Sequence, residues 1–204
     1  MSVSMALLDF VPVILFLVSA VVLQRKLYGP MSKGAFALFS AGTIMVFCAG
    51  LMKALWKLLY ALGVCDFERL NQCFFPMQSV GFLLAGISVA ALLLFPQKEK
   101  SSALYAAAAP AVFPGTMIFV ALMILGCLGF CGGLGILAAK QKKKTAALLF
   151  WLAFVFMLMM GYLSSKDFAQ ASMNWIAEGV NVVGQGLLLA GALSLRNKSG
   201  GEAA

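Results

Sequence analysis

Asn174, Glu178, Asn181 and Gln185 recur at steps of four, three and four within the apolar segment 173–195, so a helix there lines them up in one stripe. A carboxylate flanked by amides can hydrogen-bond and orient a polar solute. Left facing lipid near mid-membrane, the carboxylate would cost about 3 kcal/mol, so the stripe is predicted to face the protein interior or a wet cavity. Lys53 and Lys57 form a second polar pair, four residues apart on one helical face with Trp56 beside them. Lys57 reads as a lysine snorkelling to the headgroups, with Trp56 at the interface. Lys53 lies a turn deeper and calls for a buried partner, for which Glu178 is the expected group. Asp9 and Gln78, each near the start of an apolar run, complete the polar set.

The chain contains no histidine. Bis-histidine haem, histidine-ligated zinc or iron, and Ser-His or Cys-His nucleophile pairs are therefore excluded by inventory, and no metal or cofactor is expected. Cys127 and Cys131, four apart, read as helix packing rather than a metal or redox site. Cys65 and Cys73 bracket the most polar loop of the first half, and either a disulfide or two unpaired thiols fits that spacing.

What positions these residues must be membrane helices. Of 204 residues 63% are hydrophobic and 11% charged, with a mean hydropathy of +0.99, far from the mix of a soluble domain. Spans of about 20 residues use nearly the whole length, leaving no room for a soluble catalytic domain. The net charge of +8 sits in clusters at the ends of apolar runs. That is the positive-inside pattern, so the expected surroundings are membrane lipids and not nucleic acid.

Apolar runs cover residues 7–23, 34–63, 74–95, 116–139, 145–163 and 173–195. The first has no Lys or Arg in front of it and ends in Arg25 and Lys26, so it reads as a retained helix rather than a cleaved signal. Between 96 and 115, Pro110 and Pro114-Gly115 punctuate an uncharged stretch in which 100–113 can form a short crossing. Fourteen residues rise only about 21 Å, less than the usual hydrocarbon core, so this is the weakest predicted helix.

With seven crossings and the N-terminus outside, eleven of the 15 Lys and Arg lie on the cytoplasmic side: Arg25, Lys26, Lys33, Lys98, Lys100, Lys140, Lys142, Lys143, Lys144, Arg196 and Lys198. Six crossings with both termini inside place nine there: Lys53, Lys57, Arg69, Lys140, Lys142, Lys143, Lys144, Arg196 and Lys198. The expected fold is therefore an all-α polytopic membrane protein of seven helices, with six as the alternative. It forms a single transmembrane domain, 1–204, in the plasma (inner) membrane, with the N-terminus outside and the C-terminus cytoplasmic.

Self-similarity suggests two three-helix units, 7–95 and 116–195, about a linker at 100–113. Gly81-Phe82-Leu83-Leu84-Ala85-Gly86 is echoed by Gly186-Leu187-Leu188-Leu189-Ala190-Gly191, and the start of the second run at Lys33 by the start of the fifth at Lys144. This plan resembles in outline the three-plus-one-plus-three arrangement of sugar-efflux and PQ-loop transporters. The outline is all that is shared, since Pro96-Gln97 merely closes the third run. A microbial rhodopsin is disfavoured because the last helix has no lysine for a retinal Schiff base.

In that arrangement Asp9, Lys53, Lys57, Gln78, Asn174, Glu178, Asn181 and Gln185 gather in the outer half as a ligand-binding cavity centred on Lys53 and Glu178. The expected function is a transporter or binding protein for a small polar solute. One alternative is an accessory or assembly subunit that uses its glycine faces to dock another membrane subunit or a second copy. A small intramembrane enzyme with Glu178 as base and Lys53 as electrophile has less support, so enzymatic activity is not expected.

Overall fold

Apolar segments of this length must satisfy every backbone N–H and C=O internally, and the helix does so within one segment. In a computed structural model, which describes residues 2–95, 116–164 and 171–195, six helices are long and apolar enough to cross a membrane. They are α1 (Val3–Leu27), α2 (Lys33–Ala61), α3 (Glu68–Leu94), α4 (Ile118–Lys140), α5 (Lys144–Leu163) and α6 (Met173–Ser194). No strand occurs among the described residues. The short crossing expected at 100–113 lies outside them.

Two prolines break α1 and α3 near their starts in the same way. Pro12 has no N–H to offer the Leu8 carbonyl, and the first helical segment stops at Leu8 before resuming at Phe10. Pro76 likewise leaves Gln72 unserved, and α3 is interrupted at Cys73 between Glu68–Gln72 and Phe74–Leu94. In α4 the interruption is a π-turn, Leu128–Gly132, set in a glycine-rich stretch between Thr116–Cys127 and Gly133–Lys140. At the far end of α2, Gly63 takes φ +69°, and the Val64 and Gly63 N–H groups donate to the Leu59 and Tyr60 carbonyls at 3.1 Å each. This left-handed glycine cap follows the helix end at Ala61, four residues beyond Lys57.

The pairings give the direction of each helix. Val13 meets Gly50, and Gln24 donates to Thr43 at 2.9 Å, so α1 and α2 are antiparallel. Gly42 faces Gly81 and Lys53 faces Phe74, which makes α2 and α3 antiparallel as well. Gly126 lies on Phe82 and Gly133 on Val89 and Leu93, so α3 and α4 run parallel. Trp151 covers Gly132 and Gly135, while Met123 reaches Gly161, and α4 and α5 are antiparallel. Gly184 meets Phe156 and Gly191 meets Phe150, giving an antiparallel α5 and α6. Finally α6 packs back on α1, where the Lys26 Nζ donates to the Leu193 and Leu195 carbonyls at 2.7 and 2.6 Å. That lysine satisfies carbonyls left open at the end of α6 and closes a ring of six helices.

Close approach along the ring depends on glycine. A Cβ at Gly42 would stand 2.6 Å from the Gly81 oxygen, and one at Gly86 would stand 2.8 Å from the Gly126 oxygen. These small-residue seams let backbones touch, which is the usual basis of helix association in lipid. Inside the ring Phe16, Phe39, Phe82 and Phe130 form an aromatic centre, with successive ring centroids 5.9–6.1 Å apart. Outward, Ile14, Ile44, Ile87, Leu125, Leu148 and Val155 are exposed, as lipid-facing positions should be.

Candidate functional site

Because α1, α3, α4 and α6 run one way and α2 and α5 the other, the starts of the first set and the ends of the second share one end of the ring. A cavity opens there, lined by Asp9 from α1, Lys53 and Lys57 from α2, Gln78 from α3, and Glu178, Asn181 and Gln185 from α6. Asp9 occupies the break imposed by Pro12, and Gln78 follows Pro76 by two residues. Apolar walls come from Phe74, Phe82, Met123, Phe156, Met157 and Met160. About 90 Å³ is open to the centre of a water molecule. One water needs roughly 10–15 Å³ on that measure, so the space admits several waters or a solute of similar size.

The charges do not pair as the sequence led us to expect. Lys57 forms an ion pair with Asp9, the two side chains being 20% and 8% exposed. It is therefore held by a buried partner rather than reaching for the headgroups. Lys53, the deeper lysine, has its Nζ 4.1 Å from the centroid of the Phe74 ring, a cation–π contact. No ion pair joins Lys53 to Glu178 among the described residues. Glu178 lies against Asp9, with Lys57 and Lys53 as its charged neighbours. It is only 3% exposed, and its Oε1 has no hydrogen-bond partner; Gln185, 9% exposed, leaves its own Oε1 equally unserved. Two carboxyl groups, two ammonium groups and three amides thus share one pocket in which acceptors remain unmet.

Of the eight residues expected to bind a ligand, seven line this cavity. Asn174, a turn nearer the helix end, is exposed and does not line it. The sequence reading did not find the apolar walls, because Met and Phe in a membrane helix carry no mark that distinguishes a cavity wall from a lipid face. Trp56 is not a lining residue; its Nε1 donates to Asp66 at 3.0 Å and its ring stacks on Tyr60. This ties the end of α2 to the loop above it.

Cys65 and Cys73 are exposed and unbridged. Cys127 and Cys131 are buried, the Cys131 Sγ lying 3.6 Å from the Met157 Sδ, as packing residues would. Among the described residues no group of three or more acidic or cysteine side chains is placed to hold a metal ion.

Apolar helices of membrane-spanning length, arranged around a buried cluster of charges, define the class: an all-helical polytopic membrane protein. Compared with known protein families, curated proteins and solved structures, the chain matches none.

Proposed function

We propose that the chain is a seven-crossing plasma-membrane carrier or binding protein for a small polar solute, with the cavity facing outward. The observation that carries the reading is the buried Glu178 carboxylate, whose unserved oxygen shares the cavity with Lys53, Asn181 and Gln185. A purely structural charge cluster would be expected to satisfy its own members, since an unmet buried acceptor costs about 1–3 kcal/mol. Spare hydrogen-bonding capacity beside an opening is what a site for an external ligand needs.

A seventh crossing is supported by the parallel course of α3 and α4, because the chain leaves α3 at one end of the ring and enters α4 at the other. The two three-helix units then lie parallel around the linker. Charge supports their orientation: Arg25, Lys26, Lys33, Lys140, Lys142, Lys143 and Lys144 all lie at the end opposite the cavity, the pattern of a cytoplasmic end. Below the cavity the four-phenylalanine centre closes the path towards that side. The accessory-subunit reading loses support because Gly42, Gly81, Gly86, Gly126 and Gly129 are consumed in contacts within the chain.

Topology has a direct test. With Cys65 as the only thiol, a membrane-impermeant thiol reagent is expected to label intact cells. With a single cysteine at Lys143, labelling is expected only after permeabilisation. Equal accessibility of both positions would refute the seven-crossing arrangement.

Function is tested by an untargeted comparison of small polar solutes inside and outside cells that produce the wild-type chain or Glu178→Gln. A defined set of solutes should be redistributed by the wild type, with the difference reduced at least tenfold in the variant at equal membrane abundance. Identical profiles for the two would sink the carrier reading.

A further inference from the structure

We infer that the solute is a small zwitterion, its ammonium group received by Glu178 and Gln185 and its anionic group by Lys53. This rests on the carrier reading and names the solute class.

The argument begins with what the cavity lacks. The unserved atoms Glu178 Oε1 and Gln185 Oε1 are acceptors, each on a side chain at least nine-tenths buried. They require a donor, and the partner that best matches a buried carboxylate is a cation with N–H groups. On the same cavity the Lys53 ammonium has three donors, and its contact is the face of Phe74 at 4.1 Å. A ring face offers such a cation roughly 0.5–2 kcal/mol, and a charge-assisted hydrogen bond to an anion is the stronger alternative. Lys57 is not available for this role, being held by Asp9.

Charge balance selects between ligand types. In their ionised forms Asp9, Glu178, Lys53 and Lys57 sum to zero, so an added cation or anion would then leave a net charge in a low-dielectric site. Uncompensated charge there costs several kcal/mol. A zwitterion adds none, and it serves the unmet acceptors and the Lys53 ammonium together. It occupies the role that a direct Lys53–Glu178 pair would otherwise fill, and no such pair forms among the described residues. The remaining wall of Phe156, Met157 and Met160 suits a short apolar side group. Space for about six to nine waters limits the ligand to the size of alanine or slightly more.

The test is binding to the full-length protein in lipid nanodiscs, by calorimetry, with L-alanine, ethylamine, propionate and glycerol as probes. L-alanine should bind at least tenfold more tightly than the other three. In Lys53→Met the advantage over ethylamine should vanish, and in Glu178→Gln the advantage over propionate should vanish. Either variant that is not monodisperse is replaced by Lys53→Gln or Glu178→Met. The wild-type rank order is decisive by itself: L-alanine binding no more tightly than ethylamine or propionate, or no probe binding at all, overturns the inference. Glycerol, ethylamine or propionate binding best, with dependence on Glu178, would overturn the zwitterion while leaving a polar-solute carrier in place. The solute comparison described above fails separately, and its failure removes the carrier reading itself.

Discussion

Gly126→Ala is expected to destabilise the purified protein by roughly 3 kcal/mol, the upper part of the range for overpacking a tight interior. For a chain of this size that corresponds to a fall in Tm of about 6–12 °C. A Cβ at Gly126 would stand 2.5 Å from the Leu83 nitrogen and 2.6 Å from the Phe82 carbonyl carbon. Both are backbone atoms of α3, so no rotamer change relieves the clash and the two helices must separate. Gly86 and Gly129 meet on the same seam, where a Cβ at Gly129 would lie 3.0 Å from the Gly86 Cα. Gly126→Leu should go further and leave no monodisperse folded protein. The control is Gly186→Ala, where an added Cβ meets nothing within 4 Å. There alanine's better helix propensity leaves Tm unchanged or slightly raised. Thermal unfolding of the purified variants, followed by size-exclusion chromatography, reads both results. Equal melting of Gly126→Ala and wild type would show that α3 and α4 are not packed on this seam.

That seam also illustrates how far the sequence could be read. The apolar runs were visible because a bilayer demands helices of a certain length, and each of the six long runs has its helix. The breaks at Asp9 and Cys73 each lie three residues upstream of a proline, Pro12 and Pro76, so both follow from a residue that cannot donate its N–H. The π-turn at Leu128–Gly132 carries no such mark in the sequence: Gly129 and Gly133, four apart, mark a face for close packing but not the extra residue in the turn. The echo between Gly81–Gly86 and Gly186–Gly191 does not extend to contacts. Gly81 is pressed against Gly42 and Val46, whereas Gly186 has open space around it. Shared residue types can reflect common membrane composition as readily as shared structure.

For the site, depth was legible and pairing was not. Charged and amide residues in apolar helices had to gather where they could serve one another, and alternation of helix direction set the end at which they did so. Which lysine meets which carboxylate depends on rotation about α2 and on the break that turns Asp9 inward. Neither is encoded in residue spacing. Lys53 and Lys57 lie one turn apart on the same face, and a small rotation decides between them.

The Asp9–Lys57 pair gives the second large effect. Lys57→Met leaves Asp9 buried beside Glu178, two carboxyl groups without the ammonium that holds the first of them. Removing one partner of a buried pair typically costs about 3–5 kcal/mol, and the 20% exposure of Lys57 together with the nearby Lys53 places this case at about 3 kcal/mol. Asp9→Asn alone leaves two ammonium groups facing Glu178 alone and should cost a similar amount. The double variant Asp9→Asn, Lys57→Met removes both charges and restores the balance between Lys53 and Glu178. It is therefore expected to recover at least half of the loss, a coupling that a double-mutant cycle in denaturant or thermal unfolding measures directly. If the two single losses simply add, Asp9 and Lys57 do not hold one another. If the double variant keeps wild-type stability and still redistributes solutes, the pair sets helix register and leaves ligand contact to Lys53 and Glu178. That division is expected on physical grounds: a closed pair has little free capacity for a solute, whereas an ammonium resting on a ring and a carboxylate with an unserved oxygen have much.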